Sequence, residues 1–125
     1  MSKNLIFVYG KLRKGGALPL DDNFPDSKFI GDATVRGKLF DLGRFPGLVI
    51  DGTESVVHGA VYDVSDETLV KLDAIESSAE YYRERYDVMC NGETTNCWIY
   101  LPDPEVCTND RVIPSGDWIE HSKIR

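Results

Sequence analysis

The sequence predicts an α+β fold: a small, largely antiparallel, bent sheet that closes into a barrel, with one main helix against it. Three observations carry this prediction. Strand-like runs recur between Gly, Pro and Asn turns, only one substantial segment has helical periodicity, and an Asn-Gly dipeptide joins two adjacent strand-like runs. At 125 residues the chain is large enough to bury a core without metals or disulfides, and it reads as a single domain over 1–125.

Leu5 to Val8 is an unbroken apolar run, which suits a central strand buried on both faces. Tyr9-Gly10 ends it, and the basic, Gly-rich segment Lys11 to Gly16 forms a tight loop. Pro19 and Pro25 leave Ala17 to Asp26 irregular, with at most one helical turn. Phe29 to Leu42 reads as strand, with Gly31 and Gly37 marking bulges or bends. Phe45-Pro46-Gly47 is expected to turn before a short strand, Leu48 to Ile50. Val56 to Val64 is the clearest alternating strand, and the helix from Asp66 to Glu76 follows directly. Tyr81 to Cys90 and Thr94 to Leu101 form a hairpin about Asn91-Gly92, whose tolerance of left-handed backbone suits a two-residue turn. Beyond Pro102 the chain turns irregular until Ser115-Gly116-Asp117-Trp118-Ile119, expected to begin a short helix that lays Trp118 over a barrel end.

A net charge of −7 argues against nucleic acid as a partner, because long-range attraction to phosphate is lacking. No run is long enough to cross a membrane, and the apolar segment after Asn4 is too short for a secretory signal, so the expected location is cytoplasmic. Cys90, Cys97 and Cys107 show no metal spacing. A two-residue hairpin turn would also pair position 90 with 93 and 97 with 86, which keeps the first two thiols out of register. His58 and His121 lie far apart in sequence, so no metal ligand set and no Cys/His nucleophile is expected. Lys11, Arg13 and Lys14 cluster after the first strand, either as a local anion site or as a solvated loop.

The helix contains a misplaced carboxylate. Leu69, Leu72 and Ile75 recur at helical spacing as a buried stripe, and Glu76, seven residues after Leu69 and four after Leu72, falls on the stripe's edge. A carboxyl turned toward a core either swings out at the frayed helix end or is desolvated, with a raised pKa that suits proton transfer. The segment Tyr9-Gly10-Lys11-Leu12 leaves a buried strand, so its backbone amides are free of the ladder to meet an anion or a developing oxyanion.

Several segments, in order, resemble one family. Phe7-Val8-Tyr9-Gly10-Lys11-Leu12-Arg13 is similar to the opening Val-Tyr-Gly-(Ser/Thr)-Leu signature of the gamma-glutamyl cyclotransferase-like family. Phe45-Pro46-Gly47-Leu48-Val49, Val57-His58-Gly59-Ala60-Val61-Tyr62 and Leu72-Asp73-Ala74-Ile75-Glu76-Ser77 agree with its later segments. Tyr82 with Arg83 looks like its Tyr-x-Arg neighbourhood, and Ser115-Gly116-Asp117-Trp118 is similar to the end of its short bacterial members.

The resemblance implies a cofactor-independent, metal-free intramolecular aminolysis. The free α-amine of a small-molecule gamma-glutamyl amine or peptide attacks its own side-chain amide, giving 5-oxoproline and a free amine. Glu76 matches the family's catalytic glutamate, while Tyr9, Gly10, Lys11 and Leu12 match the loop that holds the glutamyl group. Of the three strand tyrosines able to donate to substrate, Tyr81, Tyr82 and Tyr100, Tyr82 is the one expected to do so. Two positions depart from the pattern. Lys11 replaces Ser or Thr, and pairs with a substrate carboxylate, pairs with Glu76 or points to water; Ala60 replaces a common acidic residue. Glu80 offers an alternative acid/base, since some short members carry their nearby glutamate there. A second reading keeps the fold as a non-catalytic module that binds a small anion through the same loop.

Overall fold

The alternation of Val56–Val64 (β5) makes it the strand about which the sheet is organised. In the computed structural model, which describes residues 4–123, it pairs antiparallel with Asn4–Val8 (β1) on one edge and with Lys28–Arg36 (β2) on the other. Residues 1–3, which the sequence reading sets ahead of the first strand, and 124–125 lie outside the described part. Tyr82–Cys90 (β6) and Glu93–Leu101 (β7) form the hairpin. β6 meets β2 at Cys90 and Met89, and β7 meets β1 in parallel at Trp98 and Ile6, closing a barrel in the order β1-β5-β2-β6-β7. The expected α+β architecture, antiparallel but for that one closing contact, is the one observed.

The hairpin register follows from its turn. Asn91 and Gly92 have φ of 53° and 78°, both left-handed, as a tight two-residue hairpin requires. Cys90 therefore faces Glu93 and Cys97 faces Tyr86, so the two thiols are not partners across the ladder.

Some expectations shift. The long strand over 29–42 divides at Gly37 into β2 and Lys38–Asp41 (β3), with a register irregularity between Phe29 and Gly31. Pro46 and Gly47 lie in a strand, Pro46–Val49 (β4), which pairs with β3 in a separate two-stranded sheet. The turn falls earlier, where Leu42 N–H donates to the Phe45 carbonyl at 3.0 Å. A two-stranded sheet has edges that need no amide donor, so it accepts a proline. The segment over 17–26 carries a single helical turn, Leu20–Asn23 (α1), and the stretch after Pro102 contains two 3-10 turns, Pro104–Val106 and Asn109–Arg111.

β1 is buried on both sides, which explains its unbroken apolar run. Phe7 joins Val57, Val61, Val88, Cys97 and Ile99 in one cluster, and the opposite-facing Ile6 and Val8 join Tyr62, Leu69, Leu72 and Tyr100 in the other. The second cluster is where the main helix, Asp66–Ser78 (α2), packs. Trp118 opens the last helix, Trp118–Lys123 (α3), and belongs to the first cluster at 6% exposure, as expected of a cap on the barrel end. Among the described residues no helix is long and apolar enough to cross a membrane.

Gly59 of β5 fixes how closely β1 can lie. A Cβ there would collide with the Val8 carbonyl oxygen and meet the Phe7 ring at 2.6 Å. Gly59→Ala is expected to destabilise the fold by about 1–3 kcal/mol, read as a lower urea midpoint at an unchanged slope.

Candidate active site

α2 delivers a carboxylate to the barrel surface. Ser65 caps the helix by accepting the Thr68 N–H at 3.1 Å, and Asp66 and Glu67 lie at the positive end of its dipole. Its buried residues are Thr68, Leu69, Leu72 and Glu76. Glu76 is only 7% exposed, whereas Ile75 is half-buried, so the carboxylate occupies the inward stripe and the isoleucine its edge, the reverse of the expected assignment. The spacing explains this, because residues 69, 72 and 76 follow one face as i, i+3 and i+7.

Glu76 enters a pocket lined by Tyr9, Gly10, Lys11 and Leu12 after β1, by Phe45 and Pro46 at the start of β4, and by Tyr81 and Tyr100. The carbonyls of Gly10, Lys11 and Leu12 accept from the amides of Arg13, Leu18 and Leu20, which folds the loop on itself. No acceptor among the described residues takes the N–H of Gly10, Lys11 or Leu12. Lys11 does not point to water: its Nζ lies 3.4 Å from Glu76 Oε2, and the two side chains are 15% and 9% exposed. The same ammonium stands 4.5 Å from the centre of the Phe45 ring, a cation–π contact that holds it over the pocket.

Burial pushes the Glu76 carboxyl above its ordinary value, and the Lys11 ammonium recovers only part of that shift through charge and hydrogen bonding. The neighbouring cation therefore leaves Glu76 more basic than a solvated glutamate. Tyr9, Tyr81 and Tyr100 are raised as well, first by burial, so all three remain neutral hydroxyls. Their protons have internal acceptors: Tyr9 donates to the Tyr100 carbonyl at 2.7 Å, Tyr81 to the Pro46 carbonyl at 2.7 Å and Tyr100 to Asp73 Oδ1 at 2.8 Å. Asp73 also accepts from Arg83 Nε at 2.7 Å, and these two bonds hold its carboxyl low against the opposing effect of burial. The pocket wall is thus a set of aromatic rings locked by hydrogen bonds around one carboxylate and one ammonium.

Two expected site residues fall outside. Tyr82 is 61% exposed and does not line the Glu76 pocket; Tyr81 does. The strand period of two gives positions 81 and 83 one side and 82 the other; Tyr81 lines the pocket, and Arg83 bonds Asp73, which holds the Tyr100 hydroxyl. Glu80 is exposed and lines a different groove, beside Tyr82 and Pro102. Its φ of 65° marks the left-handed residue that ends α2, where the Tyr81 and Ala79 amides both return to the Glu76 carbonyl. That backbone reversal carries the Glu80 side chain away from Glu76. The basic cluster also divides: Lys11 turns to Glu76, Arg13 pairs with Asp117 at 2.9 Å, and Lys14 is exposed. Sequence reasoning left Phe45, Pro46 and Asp73 without a part in the site, and their only signal was membership in the ordered motifs.

The site is thus a desolvated glutamate on a small closed barrel, facing the loop that leaves the first strand. The family model "Gamma-glutamyl cyclotransferase, AIG2-like" matches residues 6–120, and the chain belongs to that family. It is 36% identical over 121 residues to a Vibrio cholerae protein, covering 94% of this chain and 97% of that one. It is 34% identical over 122 residues to the gamma-glutamylcyclotransferase family protein YtfP of Escherichia coli, covering 94% and 98%. Among solved structures, YkqA from Bacillus subtilis superposes with a TM-score of 0.81 at 30% identity over 98% of this chain, which spans 42% of YkqA. A mouse AIG2-like protein shares the fold with a TM-score of 0.76 at 21% identity, over 94% of this chain and 89% of that one.

The raised Glu76 carboxyl has a measurable sign. Its folded pKa stands above the unfolded one, so its contribution to stability is full at pH values below 4.5 and is lost as pH rises through the folded value. A carbon-13 NMR titration of the Glu76 carboxyl is expected to give a midpoint above 4.5.

Proposed function

We propose that the protein is a gamma-glutamyl cyclotransferase that converts a gamma-glutamyl amine or peptide into 5-oxoproline and a free amine, with Glu76 as the general acid and base. The observation that supports this reading best is the buried Glu76 carboxyl, raised by desolvation, beside a loop whose Gly10, Lys11 and Leu12 amides find no acceptor among the described residues. Family membership supports the reaction class.

The chemistry asks for orientation and proton movement. Glu76 takes a proton from the substrate's α-ammonium, and the freed amine attacks the γ-carbonyl carbon of the same molecule to form the lactam C–N bond. The loop amides from Gly10 to Leu12 stabilise the negative charge that develops on the carbonyl oxygen. The protonated Glu76 gives that proton to the departing nitrogen as the original amide bond breaks, then takes the surplus proton from the new ring nitrogen and passes it to the released amine, which leaves as its ammonium, so the enzyme ends as it began. Nucleophile and electrophile belong to one molecule, so holding it curled supplies a large effective concentration, and a single carboxyl handles each transfer in turn. Tyr9, Tyr81 and Tyr100 act as positioning residues, their hydroxyls already committed to the wall.

Incubation with a panel of gamma-glutamyl amines and peptides is expected to release 5-oxoproline from at least one member; a panel that yields none overturns the proposal. Glu76→Gln is expected to lower kcat by about 10²–10⁴-fold with the circular-dichroism spectrum unchanged. Glu80→Gly is expected to keep the rate while raising stability by about 1 kcal/mol, because glycine takes the left-handed backbone at position 80 without penalty.

A further inference from the structure

The Glu76 pocket already holds a cation where its proposed ligand would place one. Lys11 lines the pocket, with its ammonium 3.4 Å from Glu76 Oε2 and 4.5 Å from the centre of the Phe45 ring. A substrate ammonium that docks on Glu76 must therefore share that carboxylate with Lys11 or displace it.

We infer that Lys11 is a built-in stand-in for the substrate's own ammonium, and that it selects gamma-glutamyl compounds bearing a free α-carboxylate by exchanging partners with them. This rests on the reaction proposed above. When the substrate's α-ammonium docks on Glu76, its α-carboxylate is attached to the same carbon and reaches the zone that Lys11 Nζ occupies, 3.4 Å from Glu76. Lys11 leaves one carboxylate for another, and no charge is stranded. Two cations and two anions then alternate in the pocket where one pair stood before. A substrate without the carboxylate brings a second cation against Lys11 with only Glu76 to neutralise both, an arrangement that like-charge repulsion disfavours in a partly desolvated site. Lys11 is a specificity-determining residue here, and its long stem makes the swing available without movement of the loop backbone.

The test compares a gamma-glutamyl amide with its α-carboxamide analogue, which retains amine and γ-amide and cyclises to the corresponding lactam amide. The wild-type protein is expected to prefer the carboxylate substrate by about 10- to 100-fold in kcat/KM, the size of one charge-assisted hydrogen bond. Lys11→Met is expected to shrink that preference to within about twofold, and Lys11→Arg to restore most of it. A preference that survives Lys11→Met overturns the inference while leaving the cyclotransferase reaction standing. Product binding reads the same contact without turnover: calorimetry with 5-oxoproline and with its neutral α-carboxamide should show the wild-type preference and its loss in Lys11→Met. Carboxylate-selective binding that depends on Lys11, in a protein that cyclises nothing, supports the role of Lys11 and overturns only the reaction; binding that ignores the substitution overturns the role of Lys11.

Discussion

Because strand β1 has no solvent face, it fixes nearly everything around the candidate site. Phe7 anchors one apolar cluster and Ile6 and Val8 the other, so the strand can neither slip nor rotate without exposing a core. Its register with β5, Val8 opposite Ala60, determines where the chain leaves the sheet, and Gly59 allows the close contact that sets the depth of that exit. The loop of Tyr9 to Leu12 is held at its root by a strand packed into both apolar clusters. The same strand supplies the surface on which Leu69 and Leu72 seat α2, and seating those residues brings Glu76 inward with them. One constraint thus positions both halves of the pocket.

The electrostatics are simple for the same reason. A wall of Phe and Tyr rings buries Glu76 and raises its carboxyl, while the tyrosine hydroxyls are spent on carbonyls and on Asp73. Arg83 completes the Asp73 contact and stacks 4.2 Å from the Trp98 ring, so the outer support of the wall is itself pinned. What remains inside is one acid and one cation at 3.4 Å, with burial outweighing attraction in the net shift of Glu76.

Much of this was legible in the residues, and the part that was not has physical causes. The hairpin register was readable because Asn91-Gly92 admits one short turn, and the β5 alternation because its two faces meet different surroundings. Glu76 was visible as a carboxylate at apolar spacing. Tyr82 misled because the left-handed residue at Glu80 sets the phase of the strand that follows, and an unfavourable glutamate backbone does not announce itself as glycine would. Pro46 reads as a turn in isolation, and only the two-stranded sheet with β3 makes a place for it in a strand. The direction taken by Lys11 was open, since a flexible four-carbon stem reaches a carboxylate, an aromatic ring or solvent from the same backbone, and burial of Glu76 beside Phe45 decides among them.

The loop also faces away from the pocket. Two residues beyond Lys11, Arg13 reaches Asp117, whose Oδ1 accepts that bond together with the Ile119 and Glu120 amides that open α3. The carboxylate that starts the last helix is therefore also the tether of the first loop. Loss of either side chain removes one contact from both elements: without Asp117 the Ile119 and Glu120 amides lose their acceptor as Arg13 loses its partner. The last helix and the first loop are in this way coupled through one carboxylate, though no residue of that helix lines the Glu76 pocket.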